Sequence, residues 1–191
     1  DAVAQIFHVK GRPATNPLIV HVADESMART LASEWPDIAQ KAAAAFWPGP
    51  LTLVVPKADA VPDIVTAGGR TVALRCPSLK ATHHLIKLSQ CPLAAPSANR
   101  SEAVSPTTAQ HVLEGLGNRI GMILDNGPCE HGLESTVLDC TVDPPKVLRP
   151  GPISSEQLAE ALGTNMCSSE STPAGAGQGS AADTVLRSPG T

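Results

Sequence analysis

Four cationic side chains of this sequence stand at positions where a chain usually turns. Lys10 and Arg12 flank a glycine and precede a proline, Arg75 ends the apolar run TVALR, and Arg149 ends the run KVLR before Pro-Gly. Strand ends and their loops are where α/β proteins place ligand-binding groups. Arginine can hold two phosphate oxygens at once and lysine acts as a point charge, so the four cations together suit a triphosphate. Each cation alone is equally compatible with a solvated surface charge, because charged residues are mostly exposed.

Two short motifs supply hydroxyl and amide groups. P-S-A-N places Ser97 and Asn99 after an apolar run, and E-S-T-V places Ser135 and Thr136 after a glycine-rich loop. Such groups can bind a ribose, a phosphate or a small polar substrate. Serine and asparagine are also favoured in turns, where they bond to nearby backbone, so P-S-A-N by itself favours a turn over a ligand site.

The histidines do not form a recognisable metal site. His21 interrupts the apolar run PLIVHV, and His83 and His84 lie in a stretch with helical spacing. None of them has partners at the spacing of a metal-binding motif, and the sequence contains no H-E-x-x-H, no P-loop and no G-x-S-x-G. We therefore predict no metal ligands among the site residues, and any use of ATP must proceed without a P-loop.

Composition and charge limit the classes of partner. The chain carries a net charge of −4, aromatic residues make up 2% of it, and tyrosine is absent. Broad nucleic-acid surfaces need the opposite charge balance, and single-stranded RNA is usually bound by aromatic stacking. Five cysteines without a C-x-x-C pair indicate a reducing compartment, so we expect a cytoplasmic protein. No stretch is long and apolar enough to predict a membrane partner.

Hydrophobic spacing predicts helices that alternate with strands. Helices are expected at residues 1–9, 27–46 (with a second segment from Pro36), 79–88, 107–116 and 155–162. Strands are expected at residues 18–22, 51–55, 71–75, 93–95, 122–124, 136–138 and 147–148. Ser154 is a suitable N-cap for the last helix, and Gly163 a suitable stop. Because the later strands follow one another closely, the pattern favours an α/β fold with a mixed sheet.

Composition also predicts the domain organisation. The 191 residues, of which 42% are hydrophobic, suffice for one domain with a core, and the periodic pattern runs through residues 1–163. Residues 164–184 are rich in Ser, Gly, Ala and Pro, which is typical of a flexible linker. Residues 185–191 regain some apolar character, and we expect them to begin a further domain.

Seven short motifs follow one another along residues 1–163. They are K-G-R-P-x-x-N-P-L-I-V-H-V, F-W-P-G-P-L-T-L-V, T-V-A-L-R-C-P, A-P-S-A-N, S-P-T, G-L-E-S-T-V and L-R-P-G-P-I. In this order and spacing they resemble the YrdC-like family, the threonylcarbamoyl-AMP synthases. The resemblance implies an open, twisted, mixed sheet with flanking helices around a concave cleft. It also implies a nucleotidyltransferase that condenses L-threonine, bicarbonate and ATP into threonylcarbamoyl-AMP and pyrophosphate, for threonylcarbamoyladenosine modification of tRNA.

The resemblance implies a role for each candidate residue. Lys10 and Arg12 would be catalytic and would offset negative charge on the triphosphate and the leaving pyrophosphate. ATP would contact Arg12, Asn16, Thr71, Ser97, Asn99, Ser105 and Arg149. L-Threonine would contact His21, Arg75, the backbone at Ala95, and Ser135. Mg²⁺ is expected to accompany ATP without dedicated protein ligands, since it commonly keeps waters and binds phosphate oxygens.

The two ends of the sequence differ from the family pattern. Members of the family begin with a strand and a P-T-E-T-x-Y-G-L-type segment, which does not occur in this sequence. Longer members continue through a linker into a second domain that opens with S-P-G, which Ser188, Pro189 and Gly190 resemble. We therefore expect the catalytic domain of a long-form member, shortened at both ends.

The resemblance implies partners and leaves alternatives open. The product would pass to a tRNA-modifying transferase complex, with a weak RNA contact as a further expectation. One alternative is a carbamoyltransferase of the hydrogenase-maturation type, although its zinc-finger cysteines and acylphosphatase-like segment do not occur here. Another is an RNA-binding or ribosome-maturation module of the same fold. A third is a member of the family that folds without activity.

Overall fold

A computed structural model describes residues 2–129 and 132–166. The strands are β1 (Ile19–His21), β2 (Leu51–Pro56), β3 (Thr71–Arg75), β4 (Leu93–Ala94), β5 (Thr136–Asp139) and β6 (Lys146–Arg149). The helices are α1 (Ala2–Lys10), α2 (Glu25–Arg29), α3 (Asp37–Phe46), α4 (Asp63–Thr66), α5 (Lys80–Ser89), α6 (Ala109–Leu116) and α7 (Ser155–Leu162), and a 3-10 turn follows α6 at Gly117–Arg119.

The strands form one open, mixed sheet in the order β4-β1-β3-β2-β5-β6. The pairs β1–β3 and β2–β5 are parallel, whereas β1–β4, β2–β3 and β5–β6 are antiparallel. The predicted α/β fold with a mixed sheet and flanking helices is therefore confirmed.

The two faces of the sheet differ because side chains alternate along each strand. One face carries the main core: Val20, Leu53, Leu74 and Leu138 lie in a single buried cluster with apolar side chains of α1 to α4 and α7. Burying each of these large side chains stabilises the fold by about 1.5–3 kcal/mol. The opposite face carries a smaller buried cluster built on Val54, Ala73 and Val137. At one end of the strands, the residues on this same face are polar.

The ends of the last helix follow the sequence signals. The Ser154 hydroxyl accepts a hydrogen bond from the Gln157 backbone N–H, and the Gln157 side chain accepts one from the Ser154 backbone N–H, which completes a capping box. Gly163 ends α7 in the left-handed conformation. The predicted cap and stop are both confirmed. The predicted linker from residue 167 onward and the predicted start of a further domain lie outside the described residues.

Three details of the predicted elements are wrong. Residues 122–124 form no strand, and Met122 and Leu124 are 77% and 70% exposed, because β4 and β6 are the edges of the described sheet and neither pairs with this segment. Residues 30–36 are not helical: Ala32 forms an isolated bridge with Lys57, and the second helix begins only after Pro36. The short helix α4 was not predicted. No helix of residues 2–129 and 132–166 combines the length and apolarity needed to cross a membrane.

Candidate functional site

Polar residues of four strands meet at one end of the smaller-cluster face, which we call the cleft face. His21 at the end of β1 is in register with Arg75 at the end of β3, and Arg75 is in register with Thr52 on β2. Arg149 closes β6 opposite Val137 of β5, which in turn pairs with Thr52. Because neighbouring strands lie about 4.8 Å apart, these side chains form one row across the sheet, which is polar except at Val137.

The Lys10 side chain is hydrogen-bonded to the P-S-A-N loop. This side chain is buried, and Nζ donates to the backbone oxygen of Ser97 at 2.5 Å, to the backbone oxygen of Asn99, and to Asn99 Oδ1 at 3.1 Å. These three acceptors match the three N–H donors of an ammonium group. Burial, and the nearby charge of Arg12, lower the pKa of Lys10 to about 8. Lys10 therefore fixes the loop and places a positive charge beneath it.

The P-S-A-N loop is organised by its own side chains as well. Ser97 Oγ donates to Asn99 Oδ1 at 2.6 Å, and Asn99 Nδ2 donates to the Ala103 carbonyl at 2.5 Å. A cavity of about 320 Å³ adjoins this loop. Its lining includes Asn99, Arg100, Ser105 and His111.

Arg12 is anchored by backbone oxygens of the turn that follows it. Its Nε donates to the Asn16 carbonyl at 3.2 Å and its Nη2 to the Pro17 carbonyl at 2.8 Å. Among the described residues, no hydrogen-bond partner is found for Nη1 or for the buried Oδ1 of Asn16. Burial lowers the pKa of the Arg12 guanidinium, Glu134 raises it, and Arg149 lowers it.

Arg149 is the centre of a network on the E-S-T segment. Its Nε and Nη2 donate to the Ser135 carbonyl at 3.1 and 2.8 Å, Nη2 also donates to Ser135 Oγ at 3.1 Å, and Nη1 pairs with the Glu134 carboxylate. Ser105 Oγ donates to the other Glu134 oxygen at 3.4 Å. Burial lowers the pKa of Arg149, and the Glu134 carboxylate opposes that change. The network joins β5, β6 and the loop that carries Ser105.

Arg75 and His21 occupy the other half of the polar row. Arg75 Nε donates to the Gly49 carbonyl at 3.2 Å, and burial followed by the charge of Arg149 lowers the pKa of Arg75. Burial and the charge of Arg75 lower the pKa of His21 to about 4, so its imidazole is neutral at pH 7. His21 Nδ1 has no hydrogen-bond partner among the described residues. Ala95 lies at the other end of β1, where its N–H donates to the Ile19 carbonyl at 3.0 Å, while His21 is opposite Leu93.

The four cations predicted from the sequence therefore converge. Lys10 and Arg12 are close enough for the charge of one to lower the pKa of the other, and Arg149 lowers the pKa of both Arg12 and Arg75. The Glu134 carboxylate is the anion that opposes these effects on Lys10, Arg12 and Arg149. A partly buried group of cations with one internal carboxylate is a ready site for an anion that carries several charges.

Thr71 is the predicted site residue that the structure places away from this group. It begins β3, whereas Arg75 ends it, so the two Cα atoms are about 13 Å apart at the rise of a strand. Both residues lie on the same face, because they are separated by an even number of positions. A contact between Thr71 and a nucleotide would require the nucleotide to extend along β3, and this role stays a prediction.

Two residues of the site were quoted in motifs but not assigned a role from the sequence. Glu134 precedes Ser135 in G-L-E-S-T-V, and Thr52 lies in G-P-L-T-L-V. Thr52 Oγ1 lies 2.7 Å from Ser135 Oγ, and both residues are buried. For Thr52, the signal that could have found it is a polar residue inside an otherwise apolar strand. Within the described residues, no group of three or more His, Cys, Asp or Glu side chains is placed to hold a metal ion.

The sequence is similar to a known protein family and to curated proteins of that family. A family model named Sua5/YciO/YrdC and described as telomere recombination matches residues 1–151. Threonylcarbamoyl-AMP synthase of Pyrococcus abyssi is 48% identical over 163 residues, which cover 85% of this chain and 48% of that protein. Threonylcarbamoyl-AMP synthase of Bacillus subtilis is 49% identical over 164 residues, which cover 85% of this chain and 47% of that protein. The chain thus spans about half the length of these curated relatives.

Solved structures show the same similarity in three dimensions. The crystal structure of P. abyssi Sua5 complexed with L-threonine matches with a TM-score of 0.84 and 47% identity, covering 87% of this chain and 49% of that one. Escherichia coli YciO matches with a TM-score of 0.74 at 20% identity, covering 82% of this chain and 76% of that one, which shows a shared fold.

Proposed function

The chain belongs to the Sua5/YciO/YrdC family, and from this premise we propose that it binds ATP and L-threonine in the cleft and condenses them with bicarbonate into threonylcarbamoyl-AMP. The observation that carries the proposal is the convergence of Lys10, Arg12, Arg75 and Arg149 at one end of the cleft face. The names of the relatives and the L-threonine bound to P. abyssi Sua5 support the same reaction.

The nucleotide phosphates are assigned to the Lys10, Arg12 and Arg149 side of the cleft. Arg12 Nη1 is available to a phosphate oxygen, and the P-S-A-N loop presents Ser97 and Asn99 from a position that Lys10 fixes. Positive charge placed in advance around the phosphates stabilises the transition state and the leaving pyrophosphate. Mg²⁺ enters in this proposal as part of the substrate, bound to phosphate oxygens of ATP.

The amino acid is assigned to the Arg75 side. The Arg75 guanidinium would pair with the carboxylate of L-threonine, and the neutral His21 imidazole can hydrogen-bond to the substrate without adding charge next to Arg75. The Ser135 hydroxyl contacts Arg149 and also Thr52, the residue in register with Arg75. Ser135 would therefore lie at the boundary between the amino acid and the nucleotide. This division places the amine of threonine toward the nucleotide.

The reaction has two steps that balance without a covalent enzyme intermediate. The deprotonated amine of L-threonine combines with bicarbonate to form a carbamate, and one water is released. A carbamate oxygen then attacks the α-phosphorus of ATP, a new P–O bond forms, and the P–O bond to pyrophosphate breaks. The chain's contribution is to hold both substrates in line and to offset the charge on the phosphates.

The product would serve the threonylcarbamoyladenosine modification of tRNA, delivered to a transferase complex in the cytoplasm. A weak contact with RNA belongs to the same proposal, and it must be local because the net charge of the chain is −4.

Calorimetry and a turnover assay on the intact protein test the proposal. We expect binding of both ATP and L-threonine, and pyrophosphate release that requires L-threonine and bicarbonate together. L-Serine is the matched control, and it should bind more weakly because it lacks the methyl group. Pyrophosphate release that is independent of threonine would contradict the assignment, as would RNA binding with no turnover of ATP.

A further inference from the structure

Two hydroxyl groups are paired beneath the cleft. Thr52 Oγ1 and Ser135 Oγ lie 2.7 Å apart, Thr52 is 0% exposed, and Ser135 is 2% exposed. A third polar group joins them, because Arg149 Nη2 donates to Ser135 Oγ at 3.1 Å. The pair is therefore a small polar network held between strands of the sheet.

The direction of the shared hydrogen bond follows from a count of donors. Two hydroxyl groups carry two protons, and only one proton can lie in the bond between them. Among the described residues, neither hydroxyl has another acceptor. If Ser135 donated to Thr52, the Thr52 proton would be left without an acceptor on a fully buried side chain, which costs about 1–3 kcal/mol. On Ser135, which is 2% exposed, the same proton can be donated to a ligand bound in the cleft, so the favoured arrangement has Thr52 donating and leaves the second proton on Ser135.

The location of the hydroxyl pair indicates which kind of ligand group the Ser135 proton can donate to. Thr52 is in register with Arg75 on one side and on the other with Val137, which lies two positions after Ser135 and on the same face. Ser135 Oγ already accepts from Arg149 and, in this arrangement, from Thr52, so it can act toward a ligand as a donor. The matching ligand group is an anionic oxygen placed between Ser135 and the Arg75 guanidinium.

We propose that Thr52 is a positioning residue that directs the Ser135 hydroxyl proton toward a carboxylate oxygen of L-threonine, opposite Arg75. The inference rests on the proposed function, because it takes the amino acid as the ligand of this half of the cleft. Thr52 touches no substrate and acts through Ser135.

Calorimetric titration of the intact T52V variant tests the proposal. Valine has the same shape as threonine but cannot donate a hydrogen bond. In T52V the Ser135 hydroxyl therefore loses the donor that directs its proton toward the ligand. A hydrogen bond to a charged group corresponds to a change in Kd of about tenfold, and we expect L-threonine to bind T52V that much more weakly. T52S keeps the hydroxyl and should restore binding. L-Threonine amide, which lacks the carboxylate, should bind T52V and the wild type equally, and so should ATP.

The outcomes separate this inference from the proposed function. If the wild type binds L-threonine and T52V binds it equally well, the inference is wrong and the proposed function stands. If T52V loses L-threonine, its amide and ATP to the same extent, Thr52 has only a structural role and the inference is again wrong. If the wild type binds no L-threonine, the proposed function itself fails. In an S135A background T52V should add no further loss, and T52C, a weaker donor of similar size, provides a second variant should T52V not fold.

Discussion

Replacing Lys10 with methionine tests whether the buried ammonium organises the site. Methionine keeps an unbranched side chain but removes the charge and all three contacts with Ser97 and Asn99. Losing one preorganised charge contact typically lowers turnover by about 10²-fold, and we expect at least that loss in threonine-dependent pyrophosphate release. Arg12→Ala should have a loss of the same order, because the proposed function assigns both cations to the same phosphates.

The effect of Lys10→Met on stability should be much smaller than its effect on turnover. Charge-assisted hydrogen bonds contribute about 1.5–3 kcal/mol each, but the half-buried loop can take water in their place. The native environment also disfavours the charge, since the pKa of Lys10 is lowered to about 8. We therefore expect a loss of only about 1–2 kcal/mol in the free energy of unfolding, measured in urea. Lys41→Met, at an exposed position of α3, is the matched control and should change neither quantity.

Lys10→Arg separates charge from geometry. Arginine keeps the charge, but its planar guanidinium cannot present three donors to the same three acceptors from a buried position. We expect turnover to fall by about tenfold or more. Turnover of Lys10→Arg within about twofold of the wild type would refute the view that Lys10 acts by fixing the P-S-A-N loop.

Three further predictions concern charge, packing and pH. Glu134→Gln removes the anion among the cleft cations and should lower the free energy of unfolding by about 1–3 kcal/mol. Added pyrophosphate should then raise the Tm of Glu134→Gln more than the Tm of the wild type. The exposed Glu160→Gln should show neither effect, and equal Tm shifts in Glu134→Gln and the wild type would contradict the reasoning. Gly151→Ala puts a Cβ 2.3 Å from the backbone nitrogen of Thr136 and should lower the free energy of unfolding, measured in urea, by more than about 2 kcal/mol. Gly115→Ala places its Cβ in open space on α6 and should leave that free energy unchanged or raise it. Similar effects of the two substitutions would contradict the packing around Gly151. The pKa of His21 falls from 6.5 to about 4 on folding, so the unfolded chain binds more protons between these values and stability should decrease as pH drops through them. In His21→Asn roughly 3 kcal/mol of that pH-dependent decrease should be absent, and an unchanged pH dependence of urea unfolding would count against a buried neutral imidazole.

Local patterns predicted most of the elements. The run TVALR forms β3 with its three central residues buried, and Ser154 and Gly163 bound α7 as their types indicate. These features depend on neighbours within a few positions, which the sequence displays directly. The segment at residues 122–124 shows the limit of this reasoning, because a short apolar run becomes a strand only where a partner strand is available.

The sequence supplied the candidate residues as a prediction, whereas their contacts are visible only in the structure. Lys10 was expected to face phosphates, and the structure shows it bonded to Ser97 and Asn99, which lie 87 and 89 positions away. Glu134 and Thr52 became visible only when strand register placed them beside Arg149 and Ser135. These contacts join residues that are far apart in the sequence, and many other pairs of residues in the chain have similar local sequence patterns.

The sequence by itself determined the fold class, the family resemblance and the set of polar residues that follow apolar runs, because these depend on residue types and on spacing along the chain. Only the tertiary structure decided the strand order β4-β1-β3-β2-β5-β6, the end of the sheet at which the cations meet, and the partner of each donor. The physical reason is that sheet pairing and hydrogen-bond direction depend on which distant segments share one buried surface, and local preferences do not specify that choice.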